Sequence, residues 1–507
     1  MIDLRKAPGL SFAMAMAMAL SGPVAARPVD PTTAPPARLT PPASPVALDD
    51  LISRLNPAVV ENRLEDALAI ASAIAAHSDF PLASDPTRLA VIYLIGVLNL
   101  ELDQPGAALT PLVTTTSMNG ATIDHWIARI DAEERTGDRT AAARSLAEMI
   151  RRFPGAATEL DPTYLIYRAI DPDPEMGFAL RAALLNSDWR HPADSMVWLQ
   201  HVDELLVLGE IDRARGVTER ITAPTDLIQL HALHRYDALT ADLAPLDISA
   251  ELAAALDADR FAAQAPDAGI DAYKTLGFAF FARARLDEAL ATTDAALALP
   301  EAEAGTDAWR DRTWVMDTRA RTLMALGRRD EAAVQSQAAA ARFEEGRKDL
   351  SQTINLGWLF LRLDRNAEAL ATTESVDESA DATFDVMLTI QIRACAATAL
   401  GDAPVAEAAY AYLAANWRVA PRAVMDALLC RGDVDGAAVR MVQRLDDPDL
   451  SAEALSELHH YLPPPAPTPF DARLNAGDAA IAARPEVIAA RDRVGRVFSI
   501  PTLGGQF

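Results

Sequence analysis

The sequence predicts an all-α protein built from pairs of short antiparallel helices. Apolar residues make up 50% of the 507 residues but aromatic residues only 6%, so the core must consist largely of alanine and leucine. Both residues are strong helix formers. Sustained alternation of β-branched and polar residues, which is typical of half-buried strands, is missing. In addition, helical segments recur with small residues at the points where two helices would cross.

The first 26 residues have the composition of a secretory signal peptide. Arg5 and Lys6 precede the apolar run Ala7–Ser21. Small residues follow and end at Ala26, which suits cleavage by a signal peptidase. The apolar run is shorter than the roughly 20 residues that a membrane-spanning helix needs. We therefore expect cleavage after about Ala26, export to the periplasm or the exterior, and a mature chain without a transmembrane span.

Residues 27–47 contain seven prolines, from Pro28 to Pro45. Such a segment cannot pack a core and favours extended polyproline II conformations. The sequence predicts a disordered linker here.

The most regular helix pair is predicted over Tyr273–Pro300. Leu276, Gly277 and Phe280 belong to its first helix, and Ala289 belongs to its second. Gly277 and Ala289 remove side-chain bulk where the two helices cross. Tyr273, Leu276 and Phe280 recur at helical spacing and so share the buried face.

This pattern resembles the tetratricopeptide repeat (TPR), which has W-x2-L-G-x2-Y in its first helix, then small residues and a final proline. Thr293 departs from it by replacing an alanine or aromatic residue. Other segments align when the alanine at the crossing is the reference. These alanines are Ala67, Ala108, Ala142, Ala179, Ala214, Ala289, Ala332, Ala369, Ala406 and Ala437, of which Ala67 and Ala179 mark the poorest matches.

The resemblance implies a right-handed superhelical solenoid of antiparallel helix pairs over residues 48–462, with the best repeats in 270–415. A helical toroid is the alternative helical fold. Residues 463–470 contain five prolines and break any helix. A further helix is predicted at about Pro485–Phe498, so that residues 471–507 form a helical cap and tail, as solenoid ends require.

The resemblance also implies that the first helices of the repeats line a concave groove. Aromatic and basic residues, of types enriched at binding hot spots, occupy its expected positions. They are Lys274, Phe278, Phe281, Trp314, Arg321, Trp358 and Arg362. We expect them to bind a protein or peptide partner; a register error of one residue would instead place them in the core. The carboxylate clamp of some TPR proteins is not expected, because Ser351 and Ile354 stand where basic companions of Asn355 would be.

No catalytic, cofactor or metal site is expected. His231 and His234 are three residues apart on a predicted helix, but the sequence offers no third ligand. A nucleophile elbow, a phosphate-binding glycine loop and a catalytic cysteine setting are also missing. The net charge of −26 argues against nucleic acid as a partner.

Two cysteines, Cys395 and Cys430, lie 35 residues apart, about one repeat, on neighbouring first helices. An exported protein could oxidise them. However, helix axes roughly 10 Å apart exceed the Cα separation of about 7 Å that a disulfide tolerates. The sequence therefore favours two buried free thiols, with a disulfide as the alternative.

Together these features predict an exported, non-catalytic scaffold that binds protein partners, for example in an envelope assembly or export system. The alternatives are a secreted carbohydrate-active enzyme built as a helical toroid, or a polysaccharide-binding module that uses the same tryptophans. The sequence predicts neither the partner nor the oligomeric state.

Overall fold

The computed structural model describes residues 46–170, 174–190, 195–344, 347–348, 350–375 and 382–504. The predicted signal peptide and residues 27–45 of the predicted linker lie outside these residues. The chain divides into two compact units, unit 1 ending at Thr222 and unit 2 beginning at Ala223. Within the described residues, no helix is both long enough and apolar enough to cross a bilayer.

Unit 1 is helical throughout its described part. Its helices are α1 (Leu48–Val60), α2 (Leu64–Ala76), α3 (Asp85–Glu101), α4 (Pro105–Ser117), α5 (Ile123–Arg135), α6 (Arg139–Arg152), α7 (Ala156–Glu159), α8 (Pro162–Ala169), α9 (Pro174–Leu185), α10 (Ser195–Val207) and α11 (Ile211–Thr218). Consecutive helices pack on each other and bury a core of leucine, isoleucine, valine and alanine.

Unit 2 combines helices with four short strands. Its helices are α12 (Pro224–Ala232), α13 (Asp237–Thr240), α14 (Ile248–Ala263), α15 (Ile270–Ala282), α16 (Leu286–Ala298), α17 (Asp307–Ala325), α18 (Arg329–Ala340), α19 (Leu350–Arg362), α20 (Asn366–Thr372), α21 (Phe384–Leu400), α22 (Ala403–Ala415), α23 (Pro421–Cys430), α24 (Val434–Leu445), α25 (Ser451–Glu457), α26 (Pro469–Ala482) and α27 (Pro485–Val494). The strands are β1 (Phe343–Glu344), β2 (Arg347–Lys348), β3 (His460–Leu462) and β4 (Ser499–Leu503).

One turn geometry recurs in nine helix pairs of the described chain. Each turn between the two helices contains a residue with positive φ, a conformation that favours Gly, Asn and Asp. These residues are Asn62, Asp103, Gly137, Gly209, Ala284, Gly327, Asp364, Gly401 and Gly432. The alanine predicted at the crossing follows five positions later in every pair, as Ala289 follows Ala284, and all nine of these alanines are buried. The predicted repeat register is thereby confirmed for these pairs. Ala179 is half-buried, and residues 171–173, which precede its helix, lie outside the described residues.

The helix crossings explain why small residues recur on the first helices. A Cβ atom added to Gly96 would lie 2.5 Å from a Leu112 side-chain carbon, so no larger residue fits there. At Gly277 the added atom would lie 3.1 Å from Cγ2 of Thr293. The Thr293 hydroxyl donates to the carbonyl of Ala289 at 2.9 Å, which satisfies this buried polar group. Threonine therefore fills the position in which the repeat pattern places alanine or an aromatic residue.

Replacing Ala284 with glycine should stabilise unit 2. Ala284 has φ of +56°, a left-handed conformation that costs a non-glycine residue about 1–2 kcal/mol. We expect Ala284→Gly to raise the free energy of unfolding by up to about 1 kcal/mol, measured by urea denaturation. As a control, Ala291→Gly on the exposed face of α16 should lower it by about 1 kcal/mol. Loss of stability in both variants would contradict the argument.

None of the four strands is predicted from the sequence. β3 and β4 pair in parallel, with His460 opposite Ser499 and Leu462 opposite Leu503. Ile500 and Leu503 are buried in the cores of unit 2. The paired segments are separated by two helices and each is very short, so neither carries an alternating pattern strong enough to predict a strand.

The prediction of free thiols is wrong, because Cys395 and Cys430 form a disulfide that joins α21 to α23. Their Cα atoms are 5.3 Å apart. The two helices approach this closely because alanines, among them Ala394 and Ala427, occupy their contact surface.

Candidate functional site

Five of the seven predicted groove residues line one pocket in unit 2. Helix α15 contributes Lys274, Phe278 and Phe281, and helix α17 contributes Trp314 and Arg321. The pocket has a volume of about 410 Å³. Residues three, four or seven positions apart share one face of a helix, so this face of each first helix points into the same space.

Two apolar side chains of this pocket are exposed. Phe278 is 52% exposed and Trp314 is 41% exposed, although both are large aromatic residues. Phe281 is instead buried and packs with Leu276 and Phe280 in a core cluster. It forms the floor of the pocket, and its ring centroid lies 6.3 Å from that of Phe278.

The charged side chains around the pocket form ion pairs. Lys274 pairs with Asp311, which connects α15 to α17. Arg321 Nε donates to Oδ2 of Asp317 at 2.7 Å, and Asn355 donates to the other carboxylate oxygen at 3.1 Å. Asp317 is buried, whereas the two cations are partly exposed. The pocket is therefore bordered by two partly exposed cations, each of which already pairs with one carboxylate.

The C-terminal segment, defined here as residues 460–504, supplies one wall of the pocket. Leu503 and Gly504 line it together with the residues of α15 and α17. Leu503 is anchored in the same core cluster as Phe281. Neither residue is predictable from repeat spacing, which carries no information about a segment that folds back from outside the repeats.

The other two predicted groove residues contact the C-terminal segment instead of the pocket. The Trp358 ring meets the Phe470 ring edge to face, with centroids 6.0 Å apart. Arg362 donates from Nε to Oδ1 of Asp471 at 2.8 Å. Asp471 also accepts from the backbone N–H of Thr468 and so takes part in the capping box that begins α26. Trp358 and Arg362 thus hold the beginning of α26 in place.

Further contacts attach the C-terminal segment to the beginning of unit 2. The backbone N–H of Arg496 donates to the carbonyl of Ala232 at 2.9 Å, and its guanidinium donates to Asp237 at 2.8 Å. Nδ1 of His459 accepts from the N–H of Phe498 at 3.2 Å, and burial lowers the pKa of His459 to about 4. Arg496 therefore attaches the C-terminal segment to α12 and α13, the first helices of this unit.

His231 and His234 both contact Arg496 of the C-terminal segment. His234 is bound to Asp237 and to Arg496, so its ring serves the attachment just described. The carbonyl of His231 accepts from Arg496. Across the part of the chain that the structure describes, no three His, Cys, Asp or Glu side chains are grouped so as to hold a metal ion.

No protein-family model and no curated protein sequence matches the chain. The solved structures that align with the chain include two that share 12% sequence identity with it. The crystal structure of the APC/C hetero-tetramer Cut9–Hcn1 aligns with a TM-score of 0.28, over 88% of this chain and 90% of that chain. The structure of Naa15/Naa10 bound to HypK-THB aligns with a TM-score of 0.23, over 81% of this chain and 66% of that chain.

The architecture follows from the helix pairs themselves. Nine pairs share the left-handed turn residue and the buried alanine five positions later. Glycines on first helices such as α3 and α15 meet the second helix at the crossing. Each of the two units is a TPR-like stack of antiparallel helix pairs.

Proposed function

We propose that this chain is an exported, non-catalytic scaffold that binds a protein or peptide partner through the pocket between α15 and α17, within an envelope assembly or export system. The observation that carries the proposal is the exposure of Phe278 and Trp314 in a pocket bordered by Lys274 and Arg321. Exposed aromatic residues grouped with an arginine are typical of protein-binding hot spots.

The disulfide supports the export part of the proposal. Disulfides such as Cys395–Cys430 persist in oxidising compartments and are rare in the cytosol. Independently, residues 1–26 have the composition of a secretory signal peptide. Mass spectrometry of the protein purified from its native host should give an N-terminus near Arg27. A mature protein that retains Met1 would contradict cleavage.

A polysaccharide-binding module is the second candidate, because an exposed indole such as that of Trp314 also stacks on sugar rings. Hydrolysis of a glycosidic bond is less favoured. Glycosidases use two carboxyl groups, and Asp317 is the one carboxylate among the described residues that line the pocket. It is already bound by Arg321 and Asn355. The arrangement therefore favours binding over catalysis.

The proposal is tested by affinity purification from the native envelope with the double variant Phe278→Ala/Trp314→Ala. We expect recovery of the partner protein to fall by at least about tenfold, because hot-spot aromatics each contribute more than about 1.4 kcal/mol. The matched control is Phe261→Ala, which removes an 81% exposed aromatic ring from α14 and should leave recovery unchanged.

Direct binding of the purified partner to the purified variants completes the test, with circular dichroism to verify that they fold. Unchanged affinity in a folded double variant would refute the pocket as the binding site. Retention of the wild-type chain on insoluble polysaccharide, lost in the double variant, would identify the second candidate instead.

A further inference from the structure

We propose that the pocket between α15 and α17 binds a peptide segment in which an aromatic residue is followed directly by an acidic residue. This inference rests on the proposed function and names the chemistry of the occupant. Three features of unit 2 lead to it: a contact that the chain makes with itself, the repetition of the same side chains in the pocket, and the charge of the pocket.

The chain already contains one such aromatic–acidic pair bound by a first helix. Phe470 and Asp471 are adjacent in sequence and contact α19. The Phe470 ring packs edge to face on Trp358, and the Asp471 carboxylate accepts two bonds from Arg362, at 2.8 and 3.2 Å. One tryptophan and one arginine on a first helix thus contact an aromatic residue and the acidic residue that follows it.

Helix α17 presents the same two side-chain types to the pocket. Trp314 and Arg321 are seven residues apart, two helical turns, and both line the pocket. Phe278 adds a second exposed ring from α15. The pocket volume of about 410 Å³ lies within the roughly 300–1,000 Å³ of small ligand sites. It is therefore large enough for an aromatic side chain between Trp314 and Phe278.

The charge of the pocket favours an acidic residue beside that ring. Lys274 and Arg321 are partly exposed, and Asp317, the one carboxylate among the described lining residues, is buried. Both cations already pair with one carboxylate each, so the ligand would supply an additional acceptor. Arg422 shows that one guanidinium in this unit holds several carboxylates, since it pairs with three.

The test uses the full-length chain and a fluorescein-labelled peptide, Ala-Pro-Thr-Pro-Phe-Asp-Ala-Arg, which repeats residues 466–473. Fluorescence anisotropy measures its affinity, and that of two peptides in which Phe is replaced by Ala or Asp by Asn. We expect either replacement to weaken binding by roughly tenfold, since a hydrogen bond to a charged group or a buried ring contributes at least that factor.

The chain variants assign the two contacts to residues. Trp314→Ala and Phe278→Ala should each weaken binding of the Phe-containing peptide. They should have little effect on binding of the peptide in which Ala replaces Phe. Arg321→Gln should remove the discrimination between the Asp and Asn peptides, with Lys274→Gln as a second variant should Arg321→Gln fold poorly. Phe261→Ala, on α14, should leave the affinity of the chain for all three peptides unchanged.

Two outcomes would overturn the inference. The first is absence of binding at peptide concentrations up to about 1 mM. A dissociation constant of that size corresponds to a binding free energy of roughly −4 kcal/mol. The second is binding that depends on Arg362 instead of Arg321, because the peptide would then displace the chain's own Phe470–Asp471 contact. Either outcome leaves the proposed function standing if partner recovery still depends on Phe278 and Trp314. If neither peptide binding nor partner recovery depends on the pocket residues, both proposals are refuted.

Discussion

Reduction of the Cys395–Cys430 disulfide should lower the free energy of unfolding of unit 2 by about 3–4 kcal/mol. The bond closes a loop of 35 residues between α21 and α23. In the chain-entropy model, closing a loop of this size restricts the unfolded state by roughly that amount. The helices themselves remain packed through their alanine-rich contact, so we expect the reduced protein to be folded but less stable.

Chemical denaturation with and without a thiol reductant measures this change, and hydrogen exchange of peptides from α21 and α23 assigns it to unit 2. The control is the double variant Cys395→Ala/Cys430→Ala, which should be as unstable as the reduced protein and insensitive to reductant. Equal stability of the oxidised and reduced proteins would contradict a structural role for the bond. Alkylation without prior reduction, followed by mass spectrometry, independently reports whether free thiols are present.

Replacement of Arg422 by methionine should cost unit 2 about 3–5 kcal/mol, the usual effect of leaving buried charges without their partner. Arg422 contacts Asp426 at 2.7 Å, Asp478 at 2.9 Å and Glu457 at 3.3 Å. These carboxylates belong to α23, α26 and α25, so one guanidinium connects three helices. Burial strongly disfavours charge here, but the three carboxylates raise the pKa of Arg422 and keep it protonated.

The matched control is Arg493→Met. Arg493 pairs with Asp446 at 2.6 Å, but both side chains are at least half exposed. Exposed ion pairs contribute about 0–1 kcal/mol. A loss of similar size in both variants, measured by urea denaturation, would show that the Arg422 cluster is not acting as a buried network.

The pH dependence of stability gives a second measurement on the same cluster. Burial raises the pKa of Asp426 to about 6, above its unfolded value of about 3.9. The folded state therefore holds this proton more tightly than the unfolded state does. The stabilisation from this group is fully present below about pH 4 and is lost as the pH rises through 6.

Asp426→Asn should flatten this slope between about pH 4 and 6. In Arg422→Met the Asp426 carboxylate lacks its cation, so its pKa should rise further and the stability defect should be smaller at pH 5 than at pH 8. A defect that is independent of pH would contradict this assignment.

The repeat architecture was predictable because it depends on local residue choices. Gly277 and Ala289 belong to one helix pair, and the same small residues at the same separation recur along the chain. Even Ala284, which occupies a left-handed turn without being glycine, stands five residues before its crossing alanine like the other turn residues. The register then placed Lys274, Phe278, Phe281, Trp314 and Arg321 on one face, and these residues line one pocket.

The surroundings of those residues were not predictable in this way. Trp358 and Arg362 were predicted to line the same groove as Trp314 and Arg321. They instead contact Phe470 and Asp471 of the same chain. The distinction depends on contacts more than 100 residues apart in sequence, as between Arg362 and Asp471. The separation of Cys395 and Cys430 likewise depends on how closely two alanine-rich helices approach.

The sequence by itself therefore determined the helix pairs, their turns and the faces of the first helices, since these follow from propensity and spacing within about 35 residues. Only the tertiary structure decided which part of the predicted groove is open. The C-terminal segment covers Trp358 and Arg362 and forms a wall at Leu503, because its buried side chains and ion pairs fit unit 2. Such long-range pairing is selected by packing and burial, which no periodic pattern in the segment encodes.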